Sequence, residues 1–302
     1  MKRVSNLLLL TLTTMVVLFT NCKKDNEDPG PQTITEIVVE NPDFSILEAA
    51  VLRIDGLAEA LSGGTLTVFA PNDAAFANAG LTLEAIETMD ETVLAGILNY
   101  HVLGTTIVSS AVPASAAVAT LQGAQLYVSN NVNGVFANGI PVIAADVAAS
   151  NGVIHVIDNV LIPPSLSIAG LLSANPDYTY LVAAVVRAGL LDAVSNPGNL
   201  TVFAPDNDAF IAAGFPTIES IETADATLMN TVVSYHVLGT NVFASDLTNG
   251  ATPTSLQGST LTVTLPPPAV KLTSSSNEAS NIVGVNNVAT NGVVHFIDKV
   301  IL

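Results

Sequence analysis

The chain repeats itself once, and this constrains its fold more than any single motif. Asn41-Pro42-Asp43-Phe44 returns as Asn175-Pro176-Asp177-Tyr178, and Thr67-Val68-Phe69-Ala70-Pro71 returns as Thr201-Val202-Phe203-Ala204-Pro205, both displaced by 134 residues. Tyr100-His101-Val102-Leu103-Gly104-Thr105 returns at Tyr235 to Thr240, displaced by 135. The segment from Asn151 to Asp158, which reads Asn-Gly-Val-Ile-His-Val-Ile-Asp, returns from Asn291 to Asp298, displaced by 140. The last extra residues fall around Pro266-Pro267-Pro268, read as a stiff turn on one hairpin. Such a period is the size of a whole domain, far above the ~20–50 residues of stacked solenoid units. Two complete domains are therefore predicted, over residues 34–163 and 164–302. They meet at Ile162-Pro163-Pro164-Ser165, where consecutive prolines make a short stiff linker and the pair a semi-rigid rod.

Within a repeat the pattern runs from helical to extended. Phe44, Leu47, Val51, Ile54, Ala58 and Leu61 fall at helical spacing behind an Asn41-Pro42-Asp43 capping turn, with Gly56 as an interruption. Leu66 to Phe69 reads as a strand stopped by Pro71, after which Asn72 or Asp73 caps a helix carrying Phe76. Thr88 with Glu91 has the form of a capping box ahead of Val93, Leu94, Ile97 and Leu98. Leu126-Tyr127-Val128, Val135-Phe136-Ala137 and Val153 to Leu161, separated by Asn/Gly turns, read as antiparallel strands and hairpins. Val153 to Ile157 is apolar on both faces, which predicts a central strand, with Asp158 on the face opposite His155. Helices first and strands later give an α+β domain.

Composition narrows the function classes. Hydrophobic residues make up 49% of the chain and charged residues 11%, enough to build packed cores. The net charge of -18 repels phosphate backbones, and no basic cluster follows Lys23-Lys24, so nucleic acid is not an expected partner. Residues 1–22 read as an export signal, with Lys2 and Arg3 before an apolar run from Val4 to Phe19 that is short for a membrane span. The run ends at Leu18-Phe19-Thr20-Asn21-Cys22, which resembles a bacterial lipoprotein cleavage box, although Asn21 stands where a small residue is usual. Cys22 is the sole cysteine, so it has no disulfide partner within the chain, and lipidation gives it a use; a conventional signal peptide with an incidental cysteine is the alternative. Residues 23–33 then form a charged, Pro/Gly-punctuated tether that resembles the surface-export signal of lipoproteins in Bacteroidota-like bacteria. The expected location is the outer membrane, lipid-anchored and surface-exposed, with secretion or the periplasm as alternatives.

Three ordered motifs, each present twice, carry a family resemblance. The Thr-Val-Phe-Ala-Pro box leading to Phe76, the Tyr100-His101-Val102-Leu103 segment and the Asn151 to Asp158 box resemble those of the fasciclin domain. The resemblance covers residues from about 35 to 302. It implies a wedge or sandwich of β-strands packed with several helices, in proteins of secreted and surface-anchored adhesion. It also implies ligand contact near the Tyr-His motif, through Tyr100, His101, Tyr235 and His236, a region connected with integrin binding in animal members.

The residues themselves offer little catalysis. All four histidines, His101, His155, His236 and His295, lie in repeated motifs, no two close together, and without a nearby cysteine only carboxylates could complete a metal site. The expected role is a buried imidazole bonded to a box residue such as Asp73 or Asp206. The Asn72-Asp73 order inverts to Asp206-Asn207, which a cap tolerates and a catalytic base does not. No Gly-x-Ser-x-Gly elbow, His-Glu-x-x-His helix or phosphate loop occurs. No enzyme activity, cofactor or metal is expected. The reading is a surface adhesion module for an extracellular protein or matrix, with a carbohydrate-capture accessory lipoprotein as the alternative. The absence of Trp weakens the latter, since aromatic platforms commonly hold sugar rings.

Overall fold

The computed structural model describes residues 30–265, 270–275 and 279–302. Cys22, the export signal, most of the tether and the Pro266-Pro267-Pro268 turn lie outside the described residues.

The first repeat opens with helix α1 (Ile34–Glu40), which the spacing of apolar residues does not mark. Thr33 caps it, accepting from Glu36 N while the Glu36 carboxylate accepts from Thr33 N at 2.7 Å. Gln32 and Thr33, assigned to the tether by sequence, are therefore engaged; the Gln32 carbonyl also accepts from Ser150 N at 2.8 Å. Helices α2 (Ser45–Arg53) and α3 (Leu57–Ser62) follow, divided at Gly56 with φ 75°, a backbone state that favours glycine. Their apolar stripe buries Phe44, Leu47, Val51, Leu57 and Leu61. Then come β1 (Leu66–Pro71), α4 (Asp73–Asn78), α5 (Leu83–Thr88), α6 (Glu91–Tyr100) and β2 (Val102–Leu103). Strands β3 (Ala116–Ala119), β4 (Gln125–Asn131), β5 (Gly134–Ala137), β6 (Ile140–Ala149) and β7 (Gly152–Ile157) complete the repeat.

The expected capping box at Thr88 is not formed. Thr88 ends α5 and its hydroxyl returns to Glu84 O at 2.8 Å, while Asp90 caps α6 by accepting from Thr92 N and Val93 N. The acidic residue two positions nearer the helix wins because its short side chain reaches the free N–H groups directly.

The seven strands run in the order β2-β1-β7-β6-β5-β4-β3. Strand β7 is central, as its apolar run predicts, but its pairing with β1 is parallel, with Leu66 opposite Gly152 and Pro71 opposite Ile157. The hairpin pattern seen in sequence covers the other pairings only. A parallel pair needs a long crossover, which the intervening helices and hairpins supply.

The second repeat rebuilds this plan with α7 (Ile168–Ser173), α8 (Thr179–Arg187), α9 (Leu191–Ser195), β8 (Leu200–Pro205), α10 (Asn207–Ala212), α11 (Ile218–Glu222) and α12 (Ala226–Tyr235). Its strands β9 (Val237–Leu238), β10 (Thr262–Thr264), β11 (Lys271–Thr273), β12 (Ala279–Ala289) and β13 (Gly292–Ile297) are ordered β10-β11-β12-β13-β8-β9. The counterpart of β3 is broken here: Pro253 stands at the place of Val118, and only isolated bridges remain. Each repeat has two apolar clusters, one under its helices and one under its hairpins.

Candidate interaction site

Helix α6 ends at the Tyr-His motif, and both side chains turn inward. Tyr100 is 0% and His101 3% exposed, and in the second repeat Tyr235 is 6% and His236 2% exposed. These four, expected to touch a ligand, are covered by the folded chain.

The histidine partners are backbone groups, not Asp73 or Asp206. Nδ1 of His101 lies 2.8 Å from Ile97 O, and Nε2 lies 3.0 Å from Leu161 N. A backbone N–H can only donate, so Nε2 is the acceptor and Nδ1 carries the proton that Ile97 O accepts. His236 repeats this between Val232 O at 2.8 Å and Ile301 N at 2.8 Å. Each ring fastens a helix end to the tail that leaves the central strand. Burial pushes both imidazoles down to about 4, with the bond to the helix carbonyl opposing it, so both are neutral at ordinary pH. Tyr100 donates to Gln125 O at 2.9 Å and accepts from Asn138 Nδ2 at 2.8 Å, and burial raises its phenol to about 12.

His155 and His295 take the opposite tautomer. Nε2 of His155 faces Ile107 O at 2.8 Å, a carbonyl that can only accept, and Nδ1 receives Asp146 N at 3.3 Å. His295 does the same with Val242 O at 2.8 Å and Asn286 N at 3.4 Å. All four imidazoles thus have both nitrogens committed to the main chain. Among the described residues no group of three or more His, Cys, Asp or Glu is placed to hold a metal ion.

The inverted Asn-Asp pair confirms a capping logic. Asn72 accepts from Ala75 N at 2.8 Å and Asp206 from Ala209 N at 2.7 Å, each opening its own helix. The next residue reaches back to a second helix: Asp73 accepts from Ile46 N at 2.9 Å, and Asn207 from Tyr180 N at 3.0 Å.

These fasteners pin the surface loops. Thr67, fully buried, donates to Thr105 O at 2.7 Å and accepts from Ile107 N at 2.8 Å; Thr201 repeats both contacts with Thr240 and Val242. Strands β6 and β12 bulge so that Asp146 and Asn286, with φ 59° and 58°, receive Ser109 N and Ala244 N, both at 2.8 Å.

Sequence reasoning missed a set of residues that occurs once and not twice, at the junction of the repeats. Tyr127 of β4 lays its ring beside Phe243, with centroids 5.9 Å apart, and donates to Asn199 Oδ1 at 2.8 Å. Ser129 donates to Asp246 at 2.8 Å and Asn131 to Ser245 O at 2.9 Å. Val293 joins Tyr127 and Phe243 in a small apolar cluster. The linker prolines are thus assisted by direct contact between the repeats. The available signal was the failure of the repeat: Tyr127, Asn199, Phe243 and Asp246 stand where the other copy has Thr262, Thr65, Val108 and Ala111. Val108 is 41% exposed whereas Phe243 is 3% exposed, because the neighbouring repeat covers only the latter.

The fasciclin domain model matches residues 42–163 and 176–302. The chain belongs to the fasciclin-domain family. It is 28% identical over 250 residues to human periostin, covering 82% of this chain and 29% of periostin. It is 35% identical over 130 residues to the cell surface glycolipoprotein MPB83 of Mycobacterium bovis, covering 41% of this chain and 58% of that protein. The chain spans only part of the animal relatives it matches, 29% of periostin, 36% of pig ig-h3 and 9% of mouse stabilin-2. Among solved structures it is similar to the domain pair of the insect cell adhesion molecule Fasciclin I, at 20% identity and a TM-score of 0.44, covering 85% of this chain and 95% of that one. The two stretches matched by the family model make two fasciclin domains, each α+β, the architecture of this protein.

Proposed function

We propose that this protein is a cell-surface interaction module that binds an extracellular protein or matrix component through the pinned loops of its two fasciclin domains. One observation carries the reading: every histidine nitrogen is spent on a backbone partner, which leaves the conspicuous repeated side chains as supports for loops, with no free imidazole for chemistry. The Tyr100–His101 and Tyr235–His236 pairs serve recognition indirectly, by fixing the segments that a ligand meets. Similarity to MPB83, a cell surface glycolipoprotein, accords with display outside the cell.

The anchor belongs to the same proposal: residues 1–22 direct export, Cys22 carries lipid, residues 23–33 form the spacer, and residues 34–163 and 164–302 form the two domains. Among the described residues no helix is long and apolar enough to cross a membrane. Radiolabelled fatty acid incorporated into the protein and lost in Cys22→Ser supports the anchor, whereas equal labelling of both refutes it.

Solid-phase binding of purified protein to immobilised fibronectin, collagen and laminin, beside an array of immobilised glycans, tests the function. Saturable binding to a protein surface is the expected result. Binding confined to glycans would favour the carbohydrate-capture alternative, and hydrolysis of any of these surfaces would overturn the non-catalytic reading.

A further inference from the structure

Strand β3 is the edge of the first repeat's sheet, and its outer side joins no strand ladder until Leu121, just beyond it, donates to Val102 O of β2 at 2.8 Å. The register shows which residues face outward. Tyr127 sends its backbone toward β5, where its N–H donates to Asn138 Oδ1 at 2.9 Å and its carbonyl accepts from Asn138 N at 2.6 Å. Its partner across β3 is Ala117. In an antiparallel ladder such a pair shares no hydrogen bond, so the N–H and C=O of Ala117 point outward, as do those of Ala119 two residues on. Edge strands are usually blunted by charge, proline or a bulge. Here Ala116-Ala117-Val118-Ala119 carries none of these, whereas the second repeat has Pro253 in the corresponding stretch.

The start of this edge opens into a cleft of about 480 Å³ between the repeats. One wall is Ala114 to Ala117, and the other is Gly239 to Val242 with Tyr127, Asn199 and Asp246. Small side chains on both walls leave main chain within reach. Asn241 lines this cleft with both its amide atoms shielded from solvent. The Tyr127 hydroxyl gives its proton to Asn199 and is placed to accept from the Asn241 amide, which leaves the Asn241 carbonyl oxygen as the atom without a partner among the described residues. A shielded carbonyl oxygen without a partner is costly, and a peptide N–H supplies the donor it lacks.

We propose that the free edge of β3 and the adjoining cleft bind an extended peptide segment, which adds as a further strand on Ala117 and Ala119 and is held at one end by the Asn241 carboxamide. Main-chain pairing supplies the affinity in this mode of recognition. Asp246, the charged residue lining the cleft, already accepts from Ser129 and Phe243 N, and with the acidic chain around it selects an uncharged to basic segment over an acidic one. The site deepens the reading of the protein as a binder of proteins and rests on it.

Random heptapeptides displayed on phage, selected on the purified protein and then made synthetically, provide the probe. Ala117→Pro removes an outward N–H without costing a ladder bond and should leave the melting temperature unchanged, and Asn241→Ala removes the clamp together with a shielded unpaired oxygen and should not lower it. The expected result is affinity about tenfold weaker or worse on each variant, unchanged on Thr252→Pro in the other repeat, and lost when the peptide is N-methylated at alternate residues. No enrichment over bare support, equal binding to wild type and variants, or tolerance of N-methylation would each overturn the proposal. Hexasaccharides that bind and depend on Asn241 would also overturn it, by assigning the cleft to sugars. A protein that still captures matrix ligands in the solid-phase assay while failing these tests keeps its proposed function and loses this site.

Discussion

Acid should loosen both repeats well before their carboxylates titrate. His101 and His236 ionise at about 4 in the folded chain because burial opposes their charge. Unfolding returns them to the ordinary imidazole value of about 6.5. The sign follows from proton counting: between these values the unfolded chain binds protons that the folded chain refuses, so stability rises with pH. The contribution is whole above about pH 6.5 and is lost progressively as the pH falls toward 4. The gap corresponds to about 3 kcal/mol for each ring, a large share of the 5–15 kcal/mol that holds a typical domain together. His295, lowered chiefly by burial, acts in the same direction. Asp146 and Asp298 are held below the usual carboxylate range, Asp146 by hydrogen bonds from Ser109 and Asp298 by bonds from Asn281 and Ser280 that outweigh its burial. Their contributions fade only at lower pH, which leaves the window from 7 to 5 to the imidazoles. Urea denaturation across that window should show a steady loss of free energy. His101→Gln should be less stable at pH 7.5 but flatter with pH, because one of the linked protons has been removed. A wild-type curve level from pH 7.5 to 5, or an undiminished slope in His101→Gln, would refute the reasoning.

Two further predictions concern packing. Tyr127→Ala removes the ring against Phe243 and the bond to Asn199, a loss of about 2–4 kcal/mol at the junction of the repeats, and calorimetry should show one unfolding transition splitting into two. A Cβ at Gly152 would stand 2.1 Å from Leu66 O, so Gly152→Ala should separate β1 from β7 and cost about 3 kcal/mol or more by chemical denaturation, whereas Gly96→Ala, in open space inside helix α6, should stabilise by up to about 1 kcal/mol.

Much of the fold was legible because the framework is written twice. Box strands, the Gly56 break and the central position of β7 follow from apolar periodicity and from glycine and proline placement. The parallel pairing of β1 with β7 was not, since β-rich composition does not record strand direction, and the side chain at Thr67 looked like any strand threonine although it pins a loop. Helix caps were ambiguous where two acceptors stood close together, as with Thr88 and Asp90. The histidine partners escaped prediction for a clear reason: Leu161 N, Ile97 O, Ile107 O and their counterparts are backbone groups, and every residue has them. Comparing the repeats for agreement also hid the junction, because Tyr127, Asn199, Phe243 and Asp246 carry information only where the copies differ.

The claim that the imidazoles are internal fasteners is tested most directly by histidine side-chain NMR, using long-range ¹H–¹⁵N correlations followed from pH 8 to 5. The expected spectrum at pH 8 has the proton on Nδ1 in His101 and His236 and on Nε2 in His155 and His295, with the first pair unchanged down to pH 5. A ring of that pair titrating near its ordinary value, or carrying its proton on Nε2, would contradict the claim.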